Sequence, residues 1–440
     1  MTMVGRRRLA LAVSVALTWW VAPGAVPAQP LPTADPAALG FDPDRLERLD
    51  AALERAVEAE SFPGAVVMVA RDGRLVHEGV YGRLDPDRNA AMPADALFRI
   101  YSMTKPLVSV AAMMLVEEGR LQLTDPVAAH LPAFAEATVS EPTGGDDGVT
   151  YAERPAARAM TVQDLLRHTS GLAYGEITGN AVVQEGYEAA GAFQPGVIPF
   201  DSRGPSPEAQ VEALGEVPLV HDPATTWEYG LSSDVLGRVV EAVAGQRLED
   251  FLAARLFEPL GMTDSGFVVA ADDTARLAEP FATDPASGEP IVVLDVAEPP
   301  GNASGGAGGV STAADYLRFT QMLLNGGELD GTRILSPNTV QLMTSDHLGA
   351  HIEEAVEPGE LLLGVKGYTF GLGFAVREGD GIAGVAGTAG DYTWAGYAGT
   401  YFWADPATEV AAVFMTQAPS PERAFYRRLV RNLVYQAIVE

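Results

Sequence analysis

Residues 107–116, LVSVAAMMLV, predict a helix that is apolar on nearly every side, with Ser109 the only polar residue among them. A surface helix shows one apolar stripe and one polar face, so a helix apolar all round must be buried all round. A chain of 440 residues can supply the core this needs, as one large domain or two intermingled ones. Glu118-Gly119 ends the segment in the usual way for a helix. Directly before it stands FRIYSMTKPLV, in which Ser102 precedes Lys105 by three residues.

Residues three apart share a helical face, so the amine of Lys105 is within reach of the Ser102 hydroxyl. A helix start also aims N–H groups and the positive end of the dipole at such a site. Burial lowers a lysine pKa from its ordinary value of about 10.4, which makes the amine usable as a base. The chain holds only two lysines, Lys105 and Lys366, and its other strong bases are all arginine. Arginine does not lose its proton in a protein, whereas a buried lysine does. Biased codon usage also depletes lysine, so the count is a hint. Other serine chemistries lack a local signature. No Gly-x-Ser-x-Gly elbow exists: GLSSD at 230–234 and GVSTA at 309–313 each lack the second glycine. Six histidines leave a Ser-His-Asp triad open without picking one out, and the closest approach to a metal site is the loop pair His221-Asp222.

The formal net charge of -30 argues against nucleic acid or anionic membrane as a partner and favours neutral or cationic small substrates. The absence of cysteine excludes disulfides, thiol catalysis and zinc–thiolate sites. Residues 1–28 read as a secretory signal peptide: a basic start, an apolar run from Leu9 to about Val21 and small residues before a cut after Ala28. That predicts a periplasmic or secreted protein, by the general or the twin-arginine route, with no stable membrane insertion of the mature chain. Oligomeric state stays open.

After a helix capped by Asp42 and Pro43, strands are predicted at 64–70 and 74–82, joined through Asp72-Gly73. Strand patterns return at 368–376, 399–405 and 408–417, and a closing helix starts with Ser420-Pro421. Between them lie short helical patterns and an exposed, mobile-looking loop at 141–159. This predicts an α/β (α+β) fold in which a mainly antiparallel sheet is flanked by the terminal helices. Residues 40–100 and 305–440 would form that part, 101–304 an inserted helical domain, with the active site between them.

SMTK, WEYGLSSDVLG (227–237) and WAGYAGTYFW (394–403) together resemble the serine β-lactamase-fold esterases, the family VIII carboxylesterases. LLRHTSGL (165–172), LFEPLGMTDSGF (256–267) and GGAGGVSTAADYLRF (305–319) follow in the same order, so the resemblance runs from about residue 40 to the C-terminus. It implies the serine β-lactamase/penicillin-binding-protein-like fold, Ser102 as nucleophile, Lys105 as base and Tyr229 as the residue that helps activate first the serine and then a water. A phenol with a pKa near 10 would need a nearby lysine to lower it or share its proton. The resemblance further implies an oxyanion hole from the Ser102 and Tyr397 N–H groups, beside Trp394 and Gly396, with the glycine letting substrate lie close to the strand. His168 reads as structural, and Ser233-Asp234 as helix-start caps.

Departures from the lactamase pattern bear on substrate. The third motif is Trp394-Ala395-Gly396, without the usual lysine, and Leu231 stands where an asparagine would meet a lactam amide. The expectation is therefore a serine carboxylesterase acting on short-chain acyl esters, a small-molecule substrate, with no cofactor and no metal. A β-lactamase or D-amino-acid peptidase on the same machinery, or a sensor that acylates once without turnover, are the alternatives. The loops at 141–159 and 176–208 are expected to wall the pocket.

Overall fold

The computed structural model describes residues 30–145, 148–192 and 198–440, so the expected signal peptide lies outside the described residues. Helix α1 (Pro43–Glu58) begins as its sequence dictates: the Asp42 carboxylate accepts the Arg45 N–H, and Leu46, Leu49 and Leu53 are buried on one stripe. Strands β1 (Gly64–Arg71) and β2 (Arg74–Asp85) turn at Asp72-Gly73, where φ is 53° and 70°. Two successive positive φ angles are what an Asp-Gly pair supplies to a two-residue hairpin.

These strands and β3 (Ala90–Ala91) join five later ones in an eight-stranded antiparallel sheet. Its order is Tyr368–Phe370, Ala375–Arg377, Tyr392–Ala395, Tyr401–Asp405, Val410–Thr416, β1, β2, β3. Both faces of the sheet centre are covered. Phe402 stacks 5.0 Å from Tyr316 of the helix Ala313–Leu324, while its neighbour Trp403 faces the other way, 6.4 Å from Tyr435 of the closing helix Arg423–Tyr435. Burial on both faces is why β1 reads as the unbroken apolar run GAVVMVA. The closing helix starts two residues later than Pro421, and Ser420 accepts the Glu422 and Arg423 N–H groups ahead of it.

After β4 (Phe98–Arg99), which pairs with Val310–Ser311, comes α2 (Thr104–Glu117), buried at every residue from Thr104 to Leu115. The helix Ser232–Ala244 packs along it. Two elements differ from expectation. The stretch YTFGLGFAV is a hairpin, with Tyr368 opposite Arg377. Its turn sets Gly373 at φ 97°, where a Cβ would fall 2.3 Å from the Ser109 Oγ of α2. The stretch 141–159, expected as a mobile loop, lies mostly in a second hairpin, Thr138–Gly145 paired with Gly148–Pro155. Its glycines and acids suggested a loop, but cross-strand pairs such as Thr143 and Thr150, Oγ1 to Oγ1 2.8 Å, carry the ladder. The molecule is a mixed α/β fold built on a large antiparallel sheet, as expected. No described helix is long and apolar enough to cross a membrane.

Candidate active site

Between β4 and α2 the chain makes a single 3-10 turn, Tyr101–Met103. Tyr101 sits at φ 45°, a conformation that costs a non-glycine residue roughly 1–2 kcal/mol. Neighbouring bonds hold it there. Thr104 Oγ1 donates to the Tyr101 carbonyl (2.6 Å), Gly309 N–H to Thr104 Oγ1 (2.9 Å), and Leu294 N–H to Tyr101 Oη (3.0 Å). Ser102 therefore stands in the turn ahead of α2 rather than on it, while Lys105 is the second residue of the helix.

Ser102 Oγ lies 3.3 Å from Lys105 Nζ and 2.6 Å from Tyr229 Oη, so the three residues read from the sequence converge. Lys366 is far from this chemistry in kind: its side chain is 67% exposed, with Glu360 at 3.8 Å. Lys105 Nζ also contacts Tyr174 Oη at 2.9 Å and the Gly306 carbonyl at 2.8 Å. Burial lowers the Lys105 pKa to about 7, partly opposed by the charge of Asp234. A neutral amine has two N–H bonds and one lone pair; with the N–H groups on Gly306 and Tyr174, the lone pair faces the Ser102 hydroxyl.

Tyr229 is nearly enclosed, its ring 5.2 Å from His168, 5.4 Å from Tyr174 and 5.4 Å from Trp394. Burial pushes its pKa up, and the bond to Ser102 only partly opposes this. The phenol keeps its proton and donates it to Ser102 Oγ. The expectation that a lysine would lower or share this proton is corrected: Lys105 Nζ lies over the Tyr229 ring, 4.6 Å from its centroid, not against its hydroxyl.

Tyr174 escaped the sequence reading, and Asp234 was expected only as a helix-start cap. Tyr174 follows LLRHTSGL by two residues, which was its only signal. Asp234 does not cap its helix, whose N-cap Leu231 makes no side-chain bond. It is buried and accepts from Ser202 Oγ (2.9 Å), Ser304 Oγ (2.5 Å) and Gly306 N–H (3.2 Å), tying down the loop whose carbonyl holds Lys105. His168 is buried beside Tyr229, and its carbonyl accepts the Glu228 N–H at 2.9 Å, which anchors the segment carrying Tyr229. Burial, then the nearby Lys105 charge, keeps its imidazole pKa low.

Trp394 is buried between Tyr229 and Phe370. Gly396 is required by protein, not by substrate: a Cβ there would lie 2.2 Å from Thr400 Oγ1 and 2.3 Å from the Ile100 carbonyl. The Gly396 carbonyl accepts from Arg427 at 2.5 Å, and in a trans peptide the Tyr397 N–H then points the opposite way. Neither the Ser102 nor the Tyr397 N–H has an acceptor among the described residues. The Tyr397 ring is half-buried between Tyr101 and Phe200.

Two cavities border these residues. One of about 380 Å³ is lined by Tyr229, Ile177 and Leu361 among others, and one of about 550 Å³ by Tyr397 and Arg423. A larger one, about 730 Å³ between residues 131–133, 207–212 and 238–247, touches none of the site residues. Among the described residues no group of three or more His, Asp or Glu is placed to hold a metal ion.

A serine set against a buried lysine and a tyrosine, on a large antiparallel sheet, is the arrangement of the serine hydrolases of the β-lactamase fold. Residues 49–436 match the Beta-lactamase family, and the chain belongs to it. It is 31% identical to Esterase EstB of Burkholderia gladioli over 406 residues, 87% of this chain and 93% of EstB. With monacolin J acid methylbutanoyltransferase of Aspergillus terreus it shares 30% over 332 residues, 72% of this chain and 74% of that one. The structure of EstCE1, described as a hydrolase with promiscuous acyltransferase activity, superposes with a TM-score of 0.70 at 28% identity, covering 89% of this chain and 99% of EstCE1. These similarities fit the esterase branch of the family, the family VIII carboxylesterases.

Proposed function

We propose that the protein is a serine carboxylesterase that hydrolyses short-chain acyl esters through an acyl-enzyme on Ser102, working in the periplasm or outside the cell. The observation that carries the reading is the shared Ser102 Oγ, with Lys105 Nζ at 3.3 Å and Tyr229 Oη at 2.6 Å. Ser102 Oγ attacks the ester carbonyl and its proton passes to neutral Lys105. The N–H groups of Ser102 and Tyr397 receive the developing oxyanion, each such donor being worth about 3–4 kcal/mol. As the C–O bond breaks, Tyr229 Oη gives its proton to the leaving alkoxide, and the phenolate left behind is balanced by the Lys105 ammonium over its ring. Water then attacks the acyl group and returns a proton to Tyr229, while Ser102 regains its own from Lys105. The balance is one ester and one water in, one acid and one alcohol out.

Lactams are poor substrates on this reading. The Trp394-Ala395-Gly396 slot carries no cation, and Arg427 behind it is buried, with Nη1 and Nη2 on the Leu362 and Gly396 carbonyls. The relatives named as transferases favour a second outcome at the same acyl-enzyme, attack by an alcohol in place of water. Hydrolysis of p-nitrophenyl butyrate beside a chromogenic cephalosporin tests the main reading. The expected result is ester turnover that falls by roughly 10³-fold or more in Ser102→Ala, with slower lactam turnover. Lactam turnover faster than ester turnover, or an active Ser102→Ala, overturns it. Adding butanol and measuring butyl butyrate against butyrate separates transfer from hydrolysis.

A further inference from the structure

We propose that the cavity beside Tyr229 receives the alcohol half of the ester, and that its Glu228–His221 wall admits neutral and cationic alcohols while rejecting anionic ones. The inference rests on the esterase reading and deepens it, because it divides the substrate between the cavity that Tyr229 lines and the one that Tyr397 lines, and assigns the charge of one half.

The division follows from where the protons go. When the tetrahedral intermediate forms, two groups on Ser102 Oγ hold protons, the Lys105 ammonium and Tyr229; Lys105 keeps the serine's proton until deacylation returns it, so Tyr229 serves the leaving oxygen. The leaving oxygen must therefore come within hydrogen-bond distance of Tyr229 Oη. Whatever that oxygen carries extends into the space Tyr229 borders, the cavity of about 380 Å³. The carbonyl oxygen points instead toward the Tyr397 N–H, and the acyl chain is left with the Tyr397 side, where the cavity of about 550 Å³ lies.

The walls of the smaller cavity suit an apolar body. Val356 and Leu361 are half-buried along it, and Ile177 is 44% exposed at its edge. An isolated exposed isoleucine is ordinary on a surface, but three aliphatic side chains converging on one concavity next to a reactive oxygen form a binding wall. Its charged members are few. Glu228 is only 9% exposed, with His221 Nε2 at 3.5 Å from its carboxylate. No lysine or arginine lines the cavity. An anion placed there would face that carboxylate, whereas a cation would be attracted. The overall charge of -30 acts in the same direction at longer range.

Three butyrate esters that differ only in the phenol test the charge: phenyl butyrate, its 3-trimethylammonio analogue and its 3-carboxy analogue. In wild type, kcat/KM for the carboxy ester is expected to lie at least tenfold below that for phenyl butyrate, with the ammonio ester equal to or above it. Glu228→Gln should raise the carboxy-to-phenyl ratio at least threefold and lower the ammonio-to-phenyl ratio. A second variant, at an exposed position that does not threaten folding, tests the geometry. Ile177→Trp should lower kcat/KM for 1-naphthyl butyrate relative to methyl butyrate by fivefold or more, and leave the ethyl acetate, butyrate and hexanoate ratios within twofold. If Ser102-dependent turnover is present but Ile177→Trp moves the acyl-chain ratios instead, or Glu228→Gln shifts the three phenyl esters equally, this inference is overturned and the esterase reading stands. If none of the esters shows Ser102-dependent turnover, the esterase reading falls and this inference with it.

Discussion

Two N–H bonds and one lone pair are all a neutral lysine offers, and Lys105 has an acceptor for each of the first two and a hydroxyl for the third. Its function should then follow its own titration. Below its pKa of about 7 the amine is protonated and cannot take the serine proton; above it the lone pair is free. Log kcat/KM for a neutral ester is expected to rise with unit slope up to about pH 7 and level off above. Asp234 raises that pKa, so Asp234→Asn should lower it and move the rising limb toward acid, even where the lost bonds to Ser202 and Ser304 reduce the plateau. An unmoved or alkaline-shifted limb would exclude Lys105 as the titrating base. Lys105→Arg keeps the charge but not the lone pair, and a loss of 10²–10⁴-fold is expected. Ser102 and Lys105 were legible because their relation is local, three residues apart. Tyr174, 69 residues from Lys105, and Asp234, which acts on the lysine by its charge and by holding the Gly306 loop, have no local signature that links them to it; only folding makes them neighbours.

At the scale of elements, α2 shows both what patterning conveys and where it stops. Its all-round apolarity dictated burial, and burial is what it has. Ser109 looked like an exception in that helix, yet it lies under the hairpin turn at Gly373, closer than any Cβ tolerates. Gly373→Ala must therefore meet both a φ of 97° and that contact. Backbone strain of roughly 1–2 kcal/mol and overpacking of about 1–3 kcal/mol point to a loss of about 2–5 kcal/mol, read as a lower denaturation midpoint with unchanged slope. A loss under about 0.5 kcal/mol would mean that the turn is not pressed on α2. The two glycines of YTFGLGFAV were the available hint of a hairpin, masked by a continuous apolar run that both one strand and two strands produce when buried. The hairpin at 138–155 was masked for the opposite reason. Its composition is that of a loop, and period-2 burial is absent because most of it faces water. Gly396 was singled out for the right position and the wrong partner, since a sequence does not say whether the close approach a glycine permits is to substrate or to the Ile100 backbone.

Across the whole molecule, sheet register joins residues hundreds apart, such as Ala65 with Thr416, and nothing in the sequence specifies that pairing. Charge, by contrast, is legible without any fold. With 59 acidic and 29 basic residues, acids outnumber bases two to one, and two like charges roughly 10 Å apart repel by about 0.4 kcal/mol in water. Salt also weakens the exposed ion pairs, such as Arg333–Glu328 and Arg247–Glu249, but these are worth only about 0–1 kcal/mol apiece. The fully buried Arg431–Asp391 pair is shielded from salt. Repulsion is the larger of the two screened quantities, so raising NaCl from 10 to 200 mM should increase Tm, by about 1–2 °C if the net gain is roughly 1–2 kcal/mol. The same screening has the opposite sign for a cationic substrate, whose approach the negative field assists: kcat/KM for the ammonio ester should fall over that range while that for phenyl butyrate stays level. A Tm that falls with salt would show that arginine pairing outweighs the excess of acids. A salt-independent rate for the cationic ester would confine its recognition to the walls of the cavity beside Tyr229, with the overall charge serving the stability and solubility of the chain alone.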